Sequence, residues 1–258
     1  MELAKYLENE GIINKSNELI NDIVAKELNE IDFKEFLRLK NNIYYIEDRD
    51  NKSSIINFYD FVYEHNLNKI IESRLYNRTM EVTPIINDKL ANYKNILDLG
   101  TNCGFKIVYH AINNSTINFT GIDISKKTLN RAKQNAAKYN CKNITFEKAS
   151  IEDINLEKKF DCVISSYSMH ETNIISYNLD NGERGLDPNY LEKLFNIYNI
   201  LDKGRLILVF EPFYVDIFKE RFPEFLEAIN FRLDEIIKVN YIKSVDIETS
   251  LIFIAEKN

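Results

Sequence analysis

Along the first ninety residues, apolar side chains recur every three or four positions, the spacing that lines one face of a helix. Leu19, Ile20, Ile23, Val24 and Leu28 form one stripe. Phe33, Phe36, Leu37 and Leu39 continue it after Asp32, which is placed to cap a second helix. Ile55, Ile56, Tyr59, Phe61, Val62 and Tyr63 follow Ser53-Ser54, and Leu67, Ile70, Ile71 and Leu75 make a fourth stripe. The pattern predicts an all-helical lobe over residues 1–90, with an aromatic-rich core.

From Asn95 the texture changes to short apolar runs alternating with helical stretches. Strands are expected at 96–99, 118–124, 144–147, 160–165, 205–210, 236–242 and 251–255. Helices are expected at 105–112, after Ser125 through Tyr139, at 190–201 and at 216–229. Strand–helix alternation at this rhythm makes a parallel sheet covered on both faces. Two consecutive strands at the end imply an antiparallel edge pair. The expectation for residues 91–258 is therefore an α/β domain: a doubly wound, mostly parallel, seven-stranded sheet with an antiparallel last strand.

Composition narrows the function classes. The chain has 258 residues, a formal net charge of -7, and only seven glycines and four prolines. Phosphate contacts supply most of the affinity of nucleic-acid binders, so an acidic chain without a long Lys/Arg run is not expected to bind nucleic acid. Cys103, Cys141 and Cys162 have neither disulfide-framework nor zinc-site spacing. Residues 1–8 carry acids where a signal peptide has its apolar core, and no apolar run approaches the roughly twenty residues that span a bilayer. A cytoplasmic protein without a membrane partner is expected.

In an open α/β sheet, ligands bind beyond the carboxyl ends of the strands, where strand order reverses. The first strand ends in Asp98-Leu99-Gly100-Thr101-Asn102-Cys103-Gly104, and the second in Asp123, 23 residues after Gly100. Glycines permit a tight turn and close approach, and an acid at this distance can accept both ribose hydroxyl hydrogens. A dinucleotide fingerprint would place glycine at 100, 102 and 105, whereas the chain has Gly100, Asn102 and Phe105. The missing second glycine removes the room for a pyrophosphate. An adenosine-bearing ligand without one fits better.

These segments resemble the class I S-adenosylmethionine-dependent methyltransferases, whose fold is Rossmann-like. Residues 96–104 are similar to the family's first motif, and Gly121-Ile122-Asp123-Ile124-Ser125 to the second-strand motif whose acid grips the ribose. Ala149-Ser150-Ile151-Glu152-Asp153-Ile154 resembles the stretch bordering the adenine, residues 160–171 the fourth strand and its loop, and residues 201–209 the turn into the fifth strand. The resemblance implies S-adenosylmethionine as cofactor and S-adenosylhomocysteine as product. It implies a cofactor site of Asp98, Gly100, Asn102, Gly104, Asp123, Ile124, Ser150, Ile151, Glu152, Ser165 and Ser166. Arg78, ahead of the first strand, is a candidate for the methionine carboxylate, or else part of a solvated helix face. Asn102 stands where the family usually has glycine, and Ser150 where it often has an acid.

The implied activity is methyl transfer to an O or N atom of a small-molecule acceptor. His170 and Glu171, just past the fourth strand, are the candidate catalytic residues; the alternative for His170 is to order the loop or position substrate. His110 reads as structural, His65 as surface, and Cys103 as small-residue packing. Glu211 at the fifth strand's end is a minority substrate-facing candidate. The segment 172–188 would shape the acceptor pocket, and no Asn-Pro-Pro-Tyr-like sequence follows the fourth strand, unlike amino methyltransferases of nucleobases and glutamine. The aromatic stripes of the helical lobe suit a lid over the acceptor or a homodimer interface. Two other readings stay open: a non-catalytic methyltransferase-like subunit, and non-methylating chemistry with the same cofactor.

Overall fold

The computed structural model describes residues 1–44, 52–151, 154, 158–169, 175–177, 184–186, 190–210, 215–243 and 246–258. Its centre is β1 (Asn95–Leu99), buried at four of its five positions because helices cover both faces of the sheet. The other strands of this sheet are β2 (Asn118–Asp123), β3 (Ile144–Lys148), β4 (Phe160–Ser166), β7 (Leu201–Phe210), β8 (Phe231–Lys243) and β9 (Asp246–Lys257), in the order β3-β2-β1-β4-β7-β9-β8. β1 pairs parallel with β2 on one side and with β4 on the other, so strand order reverses between β1 and β4. β8 and β9 form the antiparallel edge pair that the two final strands predicted, and β9 lies between β8 and β7, antiparallel to both.

Each face of the sheet has its own apolar layer. Leu97 and Leu99 point to the side closed by Leu194 and Ile197 of α9 (Tyr190–Ile200) and by Phe222 and Leu226 of α10 (Val215–Ala228). Ile96, one residue out of phase, packs with Ile107 and Ala111 of α7 (Phe105–Asn113) and with Val82, Ile86 and Leu90 at α6 (Tyr76–Lys89). Fully burying one such side chain contributes about 1.5–3 kcal/mol. Gly204 lies where the β4–β7 register shifts; a Cβ there would stand 2.3 Å from the Asp161 carbonyl oxygen.

The N-terminal helices divide by what they pack against. α1 (Leu3–Asn9), which the periodicity did not reveal, places Leu3, Tyr6 and Leu7 against Phe105, Val108 and Tyr109 of α7 and Ala136 of α8 (Lys126–Lys138). The Tyr6 hydroxyl donates to the Phe105 carbonyl at 2.8 Å, and buried Glu10 accepts from Lys138 and from the Tyr139 hydroxyl. By contrast α2 (Ile20–Glu27), α3 (Glu30–Tyr44), α4 (Lys52–Glu64) and α5 (Asn68–Arg74) share a separate cluster of Val24, Phe36, Leu39, Phe58, Phe61, Val62 and Leu67.

Three local expectations need correction. The cap of α3 is Asn29, whose Oδ1 accepts from the Ile31 and Asp32 N–H groups; Asp32 sits inside the first turn. β8 and β9 extend well beyond the apolar runs that announced them, because an antiparallel pair tolerates polar residues on a solvated face. Within the segment expected as a long loop, β5 (Ile175–Tyr177) and β6 (Arg184–Leu186) form a small antiparallel pair, too short for periodicity to mark.

Candidate active site

The β1–α7 turn is built on three positive φ angles: +67° at Gly100, +54° at Asn102 and +77° at Gly104. The Thr101 N–H donates to the Ile122 carbonyl at 2.8 Å, and Asn135 Nδ2 of α8 donates to the Cys103 carbonyl at 2.8 Å. These bonds tie the turn to β2 and α8. Asn102 tolerates the left-handed region better than most residues, and its side-chain carbonyl is held besides. Asn102 Oδ1 accepts from the Cys103 N–H at 2.6 Å and from the Tyr63 hydroxyl of α4. Gly100 makes room for the protein itself, since a Cβ there would lie 2.4 Å from Ser168 Cβ. Ser168 Oγ donates to the Leu99 carbonyl at 2.6 Å and pairs with Ser165 Oγ at 2.7 Å. The loop after β4 is thereby pinned onto the glycine turn, at the point where strand order reverses.

Asp123 closes the other side of this crevice. Its Oδ2 accepts from the Asn102 N–H at 2.9 Å; its Oδ1 accepts from the Ser125 N–H at 2.9 Å and the Thr128 hydroxyl at 3.0 Å. Burial pushes its pKa up, and these donors oppose the rise by favouring the anion. Asp98, 8% exposed, has its carboxyl pushed up to about 6 by burial, against the Thr101 hydroxyl and the Lys106 ammonium; Asp123 adds to the rise.

Beside the two acids stands a cationic group. The Arg78 guanidinium of α6 lies 3.8 Å from the centre of the Tyr167 ring, and Lys106 Nζ of α7 lies 4.9 Å from it. Tyr167 adopts a φ of +63°, and its hydroxyl pairs with Ser250 Oγ of β9 at 2.9 Å. Burial lowers the Lys106 pKa, Arg78 lowers it further, and Glu72 and Asp98 raise it.

The structure brings Arg78, Asp98, Gly100, Asn102, Gly104, Asp123 and Ser165 to one end of β1, β2 and β4. Ile124 continues from Asp123 into the α8 cap. Ile151 Cδ1 would lie 3.5 Å from a Cβ on Gly100, which places the 149–151 stretch against the turn; Ser150 precedes it, half-buried. Ser166 ends β4 opposite Val209. His170, Glu171, Glu152 and Glu211 lie outside the described residues. His110 is buried in α7 beside Asn87, and burial depresses its pKa to about 3. His65 stacks on Phe61 at 4.0 Å, and Cys103 is a buried thiol pushed up to about 12.

Sequence reasoning missed Asp60, Tyr63, Lys106, Tyr167 and Ser168. Lys106, two residues past Gly104, and Ser168, two past β4, were within reach of a rule that inspects strand ends. Asp60 and Tyr63 carry no such signal, because they arrive from a helix distant in sequence.

A doubly wound sheet with a glycine turn after β1 and an acid ending β2 defines a Rossmann-like domain for a nucleoside-bearing cofactor. Residues 90–214 match the family model described as a methyltransferase domain. A stretch of 71 residues, 28% of this chain, is 45% identical to the release factor glutamine methyltransferase of Buchnera aphidicola subsp. Acyrthosiphon pisum (strain APS), and spans 25% of that relative's length. The fold is similar to that of the N-methyltransferase NodS from Bradyrhizobium japonicum WM9 in complex with S-adenosyl-L-homocysteine: TM-score 0.53, 13% identity, over 72% of this chain and 87% of that one. A SAM-dependent methyltransferase from Aquifex aeolicus matches with TM-score 0.53 and 17% identity, over 72% of this chain and 93% of the other. Residues 90–214 thus match a methyltransferase domain, and the fold is similar to that of S-adenosylmethionine-dependent methyltransferases. Among the described residues no helix is long and apolar enough to cross a membrane.

Proposed function

We propose that this protein transfers a methyl group from S-adenosylmethionine to an O or N atom of a small-molecule acceptor. The observation that carries the reading is the single hydrogen-bonded unit formed by the β1–α7 turn and the Asp123 carboxylate. The residues suit the cofactor's parts. Asp123, with Ile124 beside it, would take the ribose diol. Arg78 and Lys106 would face the methionine carboxylate, and Asp98 the ammonium. Ser150, Ile151 and Glu152 would border the adenine, while Ser165 and Ser166 line the floor. The sulfonium supplies an electrophilic methyl carbon; the protein's part is to hold nucleophile, carbon and sulfur in line and to keep water out.

His170 and Glu171 are proposed on the acceptor side, with the helices α2–α5 covering it. Calorimetry tests the cofactor: S-adenosylhomocysteine should bind and NAD should be inert. Saturating NAD binding without either adenosyl ligand overturns the reading. Labelled methyl transfer from the cofactor to an acceptor library tests the reaction, and tight binding without turnover makes the chain a non-catalytic subunit. If His170 is a base, His170→Ala lowers turnover by roughly a hundredfold or more, with little change in cofactor affinity.

The 71-residue likeness favours a second acceptor class, a protein side chain. Against it stands the sequence at the end of β4, Ser166-Tyr167-Ser168-Met169, in place of an Asn-Pro-Pro-Tyr-like loop. Mass spectrometry of peptides from a methylated extract separates the two acceptors.

A further inference from the structure

One face of α4 rests on the two turns that hold Asp123. Asp60, Tyr63 and Glu64 share that face, being three and four positions apart on a helix. The Tyr63 hydroxyl donates to Asn102 Oδ1, and the Asn102 N–H donates to Asp123 Oδ2 at 2.9 Å. On the other side, Ser125 Oγ donates to Asp60 Oδ1 at 2.6 Å, and the Ser125 N–H donates to Asp123 Oδ1 at 2.9 Å. Lys127 Nζ bonds Glu64 and lies 3.5 Å from Asp60 Oδ2. Each carboxylate oxygen of Asp123 is therefore held by a peptide donor whose own residue is gripped by α4.

From this arrangement we infer that Tyr63 and Asp60 are positioning residues for the Asp123 carboxylate, so that seating of α4 and binding of the adenosyl cofactor are coupled. The inference rests on the reading of Asp123 as the ribose ligand. Its physical basis is Asn102, a side-chain-bearing residue at φ +54° in the turn. Glycine enters that region without cost; asparagine does so less readily and gains from having its side-chain carbonyl fixed. The Cys103 N–H supplies one donor from within the turn, and Tyr63 supplies the second from outside it. The conformation of the cofactor turn consequently depends on a helix outside the sheet. Whatever seats α4 then favours the cofactor, and the cofactor favours the seated helix by the same factor.

The test is a double-mutant cycle read by calorimetry with S-adenosylhomocysteine on the full chain. Tyr63→Phe should weaken binding about three- to tenfold, the worth of one hydrogen bond. In the Asn102→Gly background the same change should matter less than about twofold, since the acceptor is gone. Equal weakening in both backgrounds, or none in either, overturns the coupling. If Tyr63→Phe fails to fold, amide exchange on the native chain decides: saturating S-adenosylhomocysteine should slow exchange in residues 52–64, and less so in Asn102→Gly. Unchanged exchange there overturns the inference. A native chain that binds no S-adenosylhomocysteine fails at the reading of the site itself and takes the coupling with it.

Discussion

Asp123 and Asp98 lie at the ends of neighbouring strands, yet burial acts on them through different company. Asp123 has three protein donors on its carboxylate, two on Oδ1 and one on Oδ2, so Oδ2 keeps capacity for a ribose hydroxyl. Charge-assisted bonds of this kind are worth about 1.5–3 kcal/mol. Asp123→Ala should therefore bind S-adenosylhomocysteine at least about tenfold more weakly while still folding, as titration calorimetry would register. Asp98 has a folded pKa of about 6 against an ordinary 3.8, so the folded chain holds this proton more tightly than the unfolded one. Its effect on stability is therefore favourable at low pH and lost as pH rises from about 4 to about 6. The displacement corresponds to roughly 3 kcal/mol. Denaturant melts of Asp98→Asn should gain on the native chain across that window and run level with a constant advantage above it. An advantage unchanged between pH 4 and 7 would mean that Asp98 titrates like an exposed acid.

At the scale of the element, termini decide more than periodicity does. Ser125 was legible as the cap of α8, and its Oγ accepts from the Thr128 N–H at 3.2 Å. The start of α3 was misplaced because Asn29 and Asp32 are both capping residues, and only backbone geometry selects between them. Asn29 wins by accepting from two peptide N–H groups in the first turn. Asn29→Ala should cost about 0.5–2 kcal/mol, felt first in α3. Hydrogen exchange would show faster opening over residues 30–44 with β1, β2 and β4 unaffected. Asp32→Ala, by the same argument, should have the smaller effect.

Across the whole molecule, α1 and α6 pack with the sheet helices, whereas α2–α5 keep an apolar cluster of their own. A chain truncated to start at Val82 would lose Tyr6, Leu7 and Ile12 from beneath α7 and α8 and half of α6 from the sheet. Such a chain should fail to give a cooperative melt, and circular dichroism would reveal it. A truncated chain that folds and binds S-adenosylhomocysteine would show that α1 is dispensable to the sheet. The helices α2–α5, held together by fewer core side chains, should open below the global transition in native-state exchange.

What the sequence determined by itself was whatever short-range pattern encodes. Alternating apolar runs and helical stretches specified the parallel sheet, its strand sequence and the antiparallel final pair. Gly100, Gly104 and Asp123 marked the crevice because a turn and a strand-end acid are local features. The tertiary structure decided the rest. It set α1 against α7 and α8, a helix whose seven residues are too few for periodicity to stand out. It also brought Ser168 into the space that Gly100 leaves, and Lys106 and Arg78 both to one Tyr167 ring. Asp60 and Tyr63 reached the peptides that hold Asp123 in the same way. No spacing in the chain encodes those meetings, because they depend on how helices some forty residues or more away in sequence come to rest on the ends of the strands.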